Sequence, residues 1–250
     1  MTSPRGPIFD AHCHAGTWAA PDFLGQASDP GEVAGTLLRA GVSRALVMPT
    51  DQRDNAGLLE WARVYEGPLS LRIAMWVAPA DNGLVEDVRS HRDQISALKI
   101  HPSFSRRRVT DPGFAPLLEL AGELALPVIV HCGRWQEMAS FRFAIEAARC
   151  HADTTFVLAH MGGDQPALVV GAAEAIAREG LRNAYLGTEC VREYWAIQRA
   201  LAIVGPERIV FGSDHNLHHP AVGLAIIDAL GLAPQVERRI LWDNAVALFG

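Results

Sequence analysis

Ile8-Phe9-Asp10-Ala11-His12-Cys13-His14 near one end of the chain and Ile209-Val210-Phe211-Gly212-Ser213-Asp214 near the other decide the fold between them. Each is a short apolar run that stops on polar residues able to do chemistry. Runs of this kind recur at Ile8–His12, Arg44–Met48, Leu71–Val77, Ala97–His101, Val128–His131, Thr155–Ala159, Ala184–Gly187 and Arg208–Gly212. All are brief, apolar at most positions and bounded by Gly, Pro, Asp or Asn, as strands are. Near-continuous apolar character marks strands covered on both faces, so the spacing predicts a parallel sheet.

The segments between them carry helical spacing and helix punctuation. Asp29-Pro30-Gly31-Glu32 supplies an N-cap, a proline at the first helical position and a glutamate at the third; Val33, Leu37 and Leu38 then form an apolar stripe that stops at Gly41. Asp111-Pro112 opens another helix, running through Leu117, Leu118 and Leu120 to the break at Pro127. Further helices are predicted over Asn55–Tyr65, Gly83–Gln94, Gln136–Cys150, Pro166–Glu179, Val191–Val204, Ala221–Leu230 and Val236–Phe249. No linker, low-complexity tract or shift in composition interrupts the pattern, so residues 1–250 read as one domain.

Eight strand-then-helix units in a chain of 250 residues match an α/β fold of the (β/α)8 TIM-barrel type. An open doubly wound sheet is the rival. The polar residues discriminate, because they end the first, fourth, fifth, sixth and eighth runs. Neighbouring strands lie about 4.8 Å apart, so an open sheet would scatter these residues over tens of ångströms. A closed barrel sets its first and last strands side by side.

A hydrophobic fraction of 49% at this length supports a core without staples; such a chain buries roughly 70–75% of its unfolded surface. The net charge of −6 is spread along the chain and argues against nucleic-acid or anionic-membrane partners. Arg106-Arg107-Arg108 is too short to reverse that. Four cysteines (Cys13, Cys132, Cys150 and Cys190) form no CxxC pair, which fits a reducing compartment. The start, MTSPRGPIFDAHCH, meets an acid and two histidines before a leader's apolar stretch could form, and no uncharged apolar stretch approaches the roughly 18 residues of a membrane span. The expectation is a cytoplasmic protein with a small-molecule partner and neither nucleic acid nor membrane.

His12 and His14 are two apart at a strand end, so both imidazoles share a side and can chelate a divalent ion of zinc type. A pair of surface or capping histidines would look the same. Recurrence separates the two readings: His131, His160 and Asp214 also close strand runs, on what would be one rim of a barrel.

The sequence resembles the amidohydrolase superfamily, in the amidohydrolase-related branch that includes aminocarboxymuconate-semialdehyde decarboxylase, resorcylate-type decarboxylases and lactone hydrolases. The resemblance runs through Asp10-Ala11-His12-Cys13-His14, Leu98-Lys99-Ile100-His101-Pro102, Pro127-Val128-Ile129-Val130-His131-Cys132-Gly133 and Leu158-Ala159-His160-Met161-Gly162-Gly163. It continues through Ile209–Asp214 to Asn244-Ala245 and Leu248-Phe249-Gly250. It implies His12, His14 and His131 as metal ligands and Asp214 as the acid beside the metal. His160 would polarise substrate or help hold metal. Zinc is the first ion expected, with manganese or another transition metal as alternatives. Lys99 either bridges two metals as a carbamate or, beside a single metal, stands as a buried lysine or a positive charge for an anionic substrate. His101, next to Pro102, can bind backbone. Relatives of this branch often pair, so a homodimer is compatible with the resemblance.

Arg134 and Glu189, in loops after strands, are candidate substrate contacts; a surface arginine and a helix-capping glutamate are their plainer readings. Trp18, Trp135 and Trp195 follow such loops and can wall a pocket. Gly187-Thr188-Glu189 departs from the commoner form of the branch at its seventh strand. Strand alternation turns Cys13 and Cys132 away from the mouth, while His91 and His151 fall in or just after helical runs and His215, His218 and His219 in the last loop. The function expected is a metal-dependent hydrolase acting through metal-activated water on a small cyclic amide, lactone or ester-like bond. Non-oxidative decarboxylation of an unsaturated or aromatic acid is the alternative. A metal-dependent deoxyribonuclease also opens with a strand and an HxH, but the negative charge and His160-Met161-Gly162-Gly163 argue against it.

Overall fold

A computed structural model describes residues 6–79 and 83–250. Met1 to Arg5, where the leader reading begins, lie outside the described residues. All eight expected strands are present, as β1 (Ile8–Thr17), β3 (Val42–Pro49), β4 (Ser70–Val77), β5 (Ala97–Ile100), β6 (Val128–Val130), β7 (Phe156–Leu158), β8 (Ala184–Gly187) and β9 (Ile209–Val210). The unexpected β2 (Ala27–Ser28) adds antiparallel to the end of β1. The order is β2-β1-β3-β4-β5-β6-β7-β8-β9, and every pairing from β1 through β9 is parallel.

The curl closes at the seam between β1 and the chain that continues from β9. Ala11 N donates to Phe211 O at 2.9 Å and Asp214 N to His12 O at 2.8 Å. His14 N also donates to His215 O, and Cys13 forms a parallel bridge with His215. The expected barrel architecture is therefore the one observed.

Two apolar layers account for its stability. Inside the barrel, Phe9, Leu46, Ala74, Ile129, Val157 and Val210 meet one another, and the C-terminal helix Asn244–Phe249 plugs the floor with Ala245 and Phe249. Phe249 meets Phe9 with ring centroids 6.2 Å apart and edge to face. Outside, the opposite strand faces pack against the helices, for example Val47, Leu98 and Leu158 with Leu37, Leu118 and Ile176. Each such side chain contributes about 1.5–3 kcal/mol on burial.

The helices follow their punctuation, with informative departures. Pro30–Arg39 begins on a complete Asp29/Glu32 capping box, as expected. The segment expected as one helix over Gln136–Cys150 is two, Gln136–Ala139 and Phe141–Cys150, because Ser140 is extended (ψ 136°) and its hydroxyl caps the second. The last helix likewise breaks into Pro234–Arg238, a π-helical turn at Arg239–Asp243 and Asn244–Phe249. Asn244 Nδ2 there reaches Pro206 O and Ile209 O at 2.7 and 2.8 Å, tying the helix to the foot of β9. Among the described residues no helix is long and apolar enough to cross a membrane.

Beyond β7 the chain turns sharply at His160-Met161-Gly162-Gly163 to enter the helix Pro166–Glu179. Gly162 has φ +92°, and a Cβ there would stand 2.4 Å from Ala172 Cβ and 3.1 Å from Phe141 Cβ. The helix can approach only because that carbon is missing. Gly162→Ala is expected to lower stability by about 2 kcal/mol or more, from overpacking and left-handed strain together; urea unfolding followed by circular dichroism measures it.

Candidate functional site

The side chains singled out at strand ends meet over one end of the barrel, at a cavity of about 500 Å³. A change of phase in β1 aims the first pair. Phe9 and Ala11 face the barrel interior, whereas Cys13 and Ala15 face the helix layer. Strict alternation from Phe9 would put Cys13 inside, but the pairing of β1 with β3 shifts register between Asp10 and Cys13. That irregularity swaps the faces, so His12 and His14 point into the mouth and Cys13 away from it. Asp10 braces the bend: its Oδ1 accepts from Ser213 N at 2.9 Å and from His12 N at 3.2 Å, and burial pushes its carboxyl up to about 7.

His12 and His14 present the same atom to the same point. His12 Nδ1 faces the buried carboxylate of Glu189 at 2.7 Å, and His14 Nδ1 donates to Pro49 O at 2.9 Å. The Nε2 atoms of both lie toward Asp214 Oδ1, at 3.5 Å and 3.4 Å. Ligand atoms about 2.1 Å from a tetrahedral ion stand about 3.4 Å from one another, so these separations fit one ion between them. Burial pushes His12 well below the usual histidine range, and the Lys99 ammonium adds to that, so His12 is neutral as a ligand must be. Burial alone would raise the Asp214 carboxyl, but the imidazoles of His14, His12 and His160 that surround it outweigh burial and hold it well below the usual carboxylate range. Among the described residues, His12, His14 and Asp214 form one group able to hold an ion, and His160, Cys190 and Asp214 form another.

His131 belongs to neither group but touches the second through His160. Its Nδ1 lies 3.1 Å from His160 Nε2, and its ring stacks on His101 with centroids 3.8 Å apart and 13° between planes. His160 Nδ1 bonds to Glu189 O at 3.1 Å, so His160 donates there and accepts from His131. Burial pushes His131 and His101 well below the histidine range. His101 also binds backbone as anticipated, its Nδ1 accepting from Phe104 N at 3.4 Å to cap Pro102–Ser105. Lys99 is 1% exposed, and its Nζ lies 3.2 Å from His12 Nε2. Burial pushes it down to about 8, against the pull of Asp214 and Glu189.

Two substrate-contact readings change. Glu189 does not line the cavity and does not cap the next helix, whose N-cap is Glu193; it is buried behind His12. It fits there because Gly212 has no side chain, since a Cβ on Gly212 would lie 2.9 Å from Glu189 Oε2 and 2.8 Å from His12 Cβ. Trp195 sits exposed on the helix Tyr194–Val204 and away from the cavity, whereas Trp18 and Trp135 line it. Arg134 is on the rim, 69% exposed and 3.8 Å from Asp22. The helix that follows Asp214, Pro220–Ala229, is capped by His219. Cys132 lines the cavity although its thiol bonds back to Val130 O.

Cys190 and Phe104 escaped sequence reasoning. Phe104 joins Trp18 and Phe23 in an aromatic wall, with ring centroids 4.6 to 6.4 Å apart. Its signal was its place two residues after the proline that ends the fourth strand run. Cys190 Sγ donates to Asp214 Oδ2 at 3.0 Å. His160, Cys190 and Asp214 all hold left-handed backbone, with φ of 56°, 60° and 64°. Such conformations cost roughly 1–3 kcal/mol each and persist where surroundings impose them, commonly at functional sites.

The fold is shared with known proteins. No curated protein matches the sequence. Among solved structures, a zinc-bound amidohydrolase from Burkholderia multivorans shares 16% identity over 98% of this chain and 99% of its own, with a TM-score of 0.80. A putative 2-pyrone-4,6-dicarboxylic acid hydrolase from Pseudomonas putida shares 19% over 97% of each chain, with a TM-score of 0.77. A 5-carboxyvanillate decarboxylase from Novosphingobium aromaticivorans, solved with manganese and a nitrobenzoic acid, shares 13% over 97% of this chain and 95% of its own, with a TM-score of 0.73.

Removing the Glu189 charge while keeping its shape tests the support behind His12. Glu189→Gln is expected to weaken divalent-ion binding about 10- to 100-fold with the fold intact, as losses behind a ligating histidine do; competition with a metallochromic chelator measures it. The Amidohydrolase family matches residues 9–250, and with the barrel and its rim of histidines and aspartate the chain belongs to that family.

Proposed function

We propose that this chain is a metal-dependent hydrolase that opens a lactone, cyclic amide or ester-like bond in a small, flat, anionic molecule. The observation that carries the reading is the convergence of two histidine Nε2 atoms on the Asp214 carboxylate in the cavity over one end of the barrel. His12, His14 and Asp214 would hold the ion; zinc suits two imidazoles and a carboxylate, and manganese is the alternative. Bound there, a divalent ion supplies Lewis acidity that makes water a nucleophile near neutral pH.

The chain's own groups do the rest. Asp214 takes a proton from the attacking water and returns it to the leaving oxygen or nitrogen. His160, held by Glu189 O and His131, lines the same cavity close to Asp214, where it can contact the substrate. Lys99 adds a buried positive charge beside the same point, which favours an anionic substrate and the charge that grows on its carbonyl oxygen. Trp18, Phe23 and Phe104 supply a wall for a flat ring, and Arg134 and Arg192 on the rim suit a carboxylate. The partner this site asks for is therefore a small molecule.

The same wall and rim favour one second reading. Non-oxidative decarboxylation of an unsaturated or aromatic acid needs a proton delivered to carbon, and Asp214 and His160 stand where it would come from. Both chemistries occur among the structural neighbours by their names, a pyrone hydrolase and a carboxyvanillate decarboxylase. Mass spectrometry of a panel of pyrone and aromatic carboxylic acids separates them. Gain of water supports hydrolysis, loss of carbon dioxide replaces it with decarboxylation, and no turnover across lactones, cyclic amides and esters removes the hydrolase reading.

Two expected outcomes test the roles. His12→Ala and His14→Ala are each expected to lose the bound ion, while His91→Ala and His151→Ala on outer helices retain it, by elemental analysis of protein purified without chelator. Asp214→Asn is expected to cut turnover at least about 10²-fold with the fold unchanged, because an amide cannot accept the proton.

A further inference from the structure

Asp214 turns its two carboxylate oxygens to two different sets of partners. Oδ1 faces His12 and His14. Oδ2 accepts from Cys190 Sγ at 3.0 Å. The His160, Cys190 and Asp214 donor atoms all lie within 4.8 Å of one another. We propose that His160, Cys190 and Asp214 Oδ2 form a second cation site, with a cysteine thiolate as ligand and Asp214 as the bridge to the first.

The chemistry of the three atoms agrees with a borderline-soft divalent ion such as zinc, which takes sulfur, nitrogen and oxygen together. The thiol proton now stands on the line to Oδ2 that the ion would occupy. On binding, the S–H bond breaks heterolytically, sulfur keeps the electron pair and gives it to the ion, and the proton leaves to water in the cavity. No oxidant or reductant is required. Sulfur and oxygen ligands of a tetrahedral zinc stand about 3.5 Å apart, so the present 3.0 Å contact opens by about half an ångström. Cys190 has room for that, being half-buried and open to the cavity. His160 Nδ1 is engaged by Glu189 O, which leaves Nε2 for the ion, and taking it displaces the hydrogen bond from His131 Nδ1.

Position supports the assignment independently. The three residues follow three consecutive strands, β7, β8 and β9, within a few positions of their ends, and each is held in left-handed backbone. A carboxylate that bridges two ions sets them about 3.5–4 Å apart, the spacing of two-metal hydrolytic sites. The cavity wall is continuous across both groups, so an ion reaching one reaches the other.

This inference rests on the metal reading of His12, His14 and Asp214, and its test separates the two. Zinc is titrated into metal-free protein, and zinc-edge X-ray absorption is recorded at one and at two equivalents, with the same titration on Cys190→Ser. The wild type is expected to bind two ions, with a sulfur neighbour at about 2.3 Å appearing in the second half of the titration. Cys190→Ser is expected to bind one ion with no sulfur neighbour. One ion bound without sulfur in the wild type overturns the second site and keeps the first. No bound ion overturns both. A sulfur neighbour that persists in Cys190→Ser assigns the ligand to another cysteine and overturns the proposal. Should the variant fail to fold by circular dichroism, the wild-type spectrum alone decides.

Discussion

The seam that closes the barrel is the contact on which the site depends. Asp214 N donates to His12 O at 2.8 Å and Ala11 N to Phe211 O at 2.9 Å, joining residues about two hundred positions apart in the chain. Without it, His12 and His14 sit on one edge of a sheet and Asp214 on the other, and no ion could touch all three. Asp10 reinforces the seam from within, its carboxylate accepting from Ser213 N on one side and His12 N on the other. The cost is a buried carboxyl pushed up to about 7, with its second oxygen unpartnered in the described structure.

Around the seam the barrel supports a set of neutral, buried imidazoles at its mouth. His12, His101 and His131 are all pushed down by burial, and Lys99, buried beside them, keeps the local field positive. Asp214 and Glu189 are the opposing charges, and they occupy opposite sides of His12. One fixes its Nδ1 and the other meets its Nε2. Two carboxylates of like charge thereby serve different purposes, because burial and neighbours give each a different imidazole atom to face.

The strand phase in β1 shows how local irregularity makes this possible. A regular strand would alternate from Phe9 through Ala11 to Cys13 and leave both histidines under the helices. The register shift between Asp10 and Cys13 reverses the faces at the moment the strand leaves the packed interior. The left-handed turns at His160, Cys190 and Asp214 do the same work at the far strands, ending each abruptly so that its last side chain leans over the cavity.

The strands, most helix starts and the strand-end positions of the candidate site residues were legible in the chain because they depend on short-range rules. These are apolar runs bounded by breakers, capping boxes such as Asp29/Glu32, and polar residues placed where strands must stop. The histidine pair and Asp214 were recognisable for the same reason. Tertiary structure decided what those rules do not reach. Glu189 looked like a substrate contact, yet missing atoms at Gly212 open a slot for it behind His12. That His131 stacks on His101 and pairs with His160 could not be read from its place at a strand end. Trp195 follows a loop like Trp18 but rides the outer face of a helix. Cys190 carried no signal at all, since its meaning lies in 3.0 Å to a carboxylate twenty-four residues away. Spacing along a strand determines which way a side chain points; which neighbour it meets depends on how separate strands are brought together, and only the closed barrel settles that.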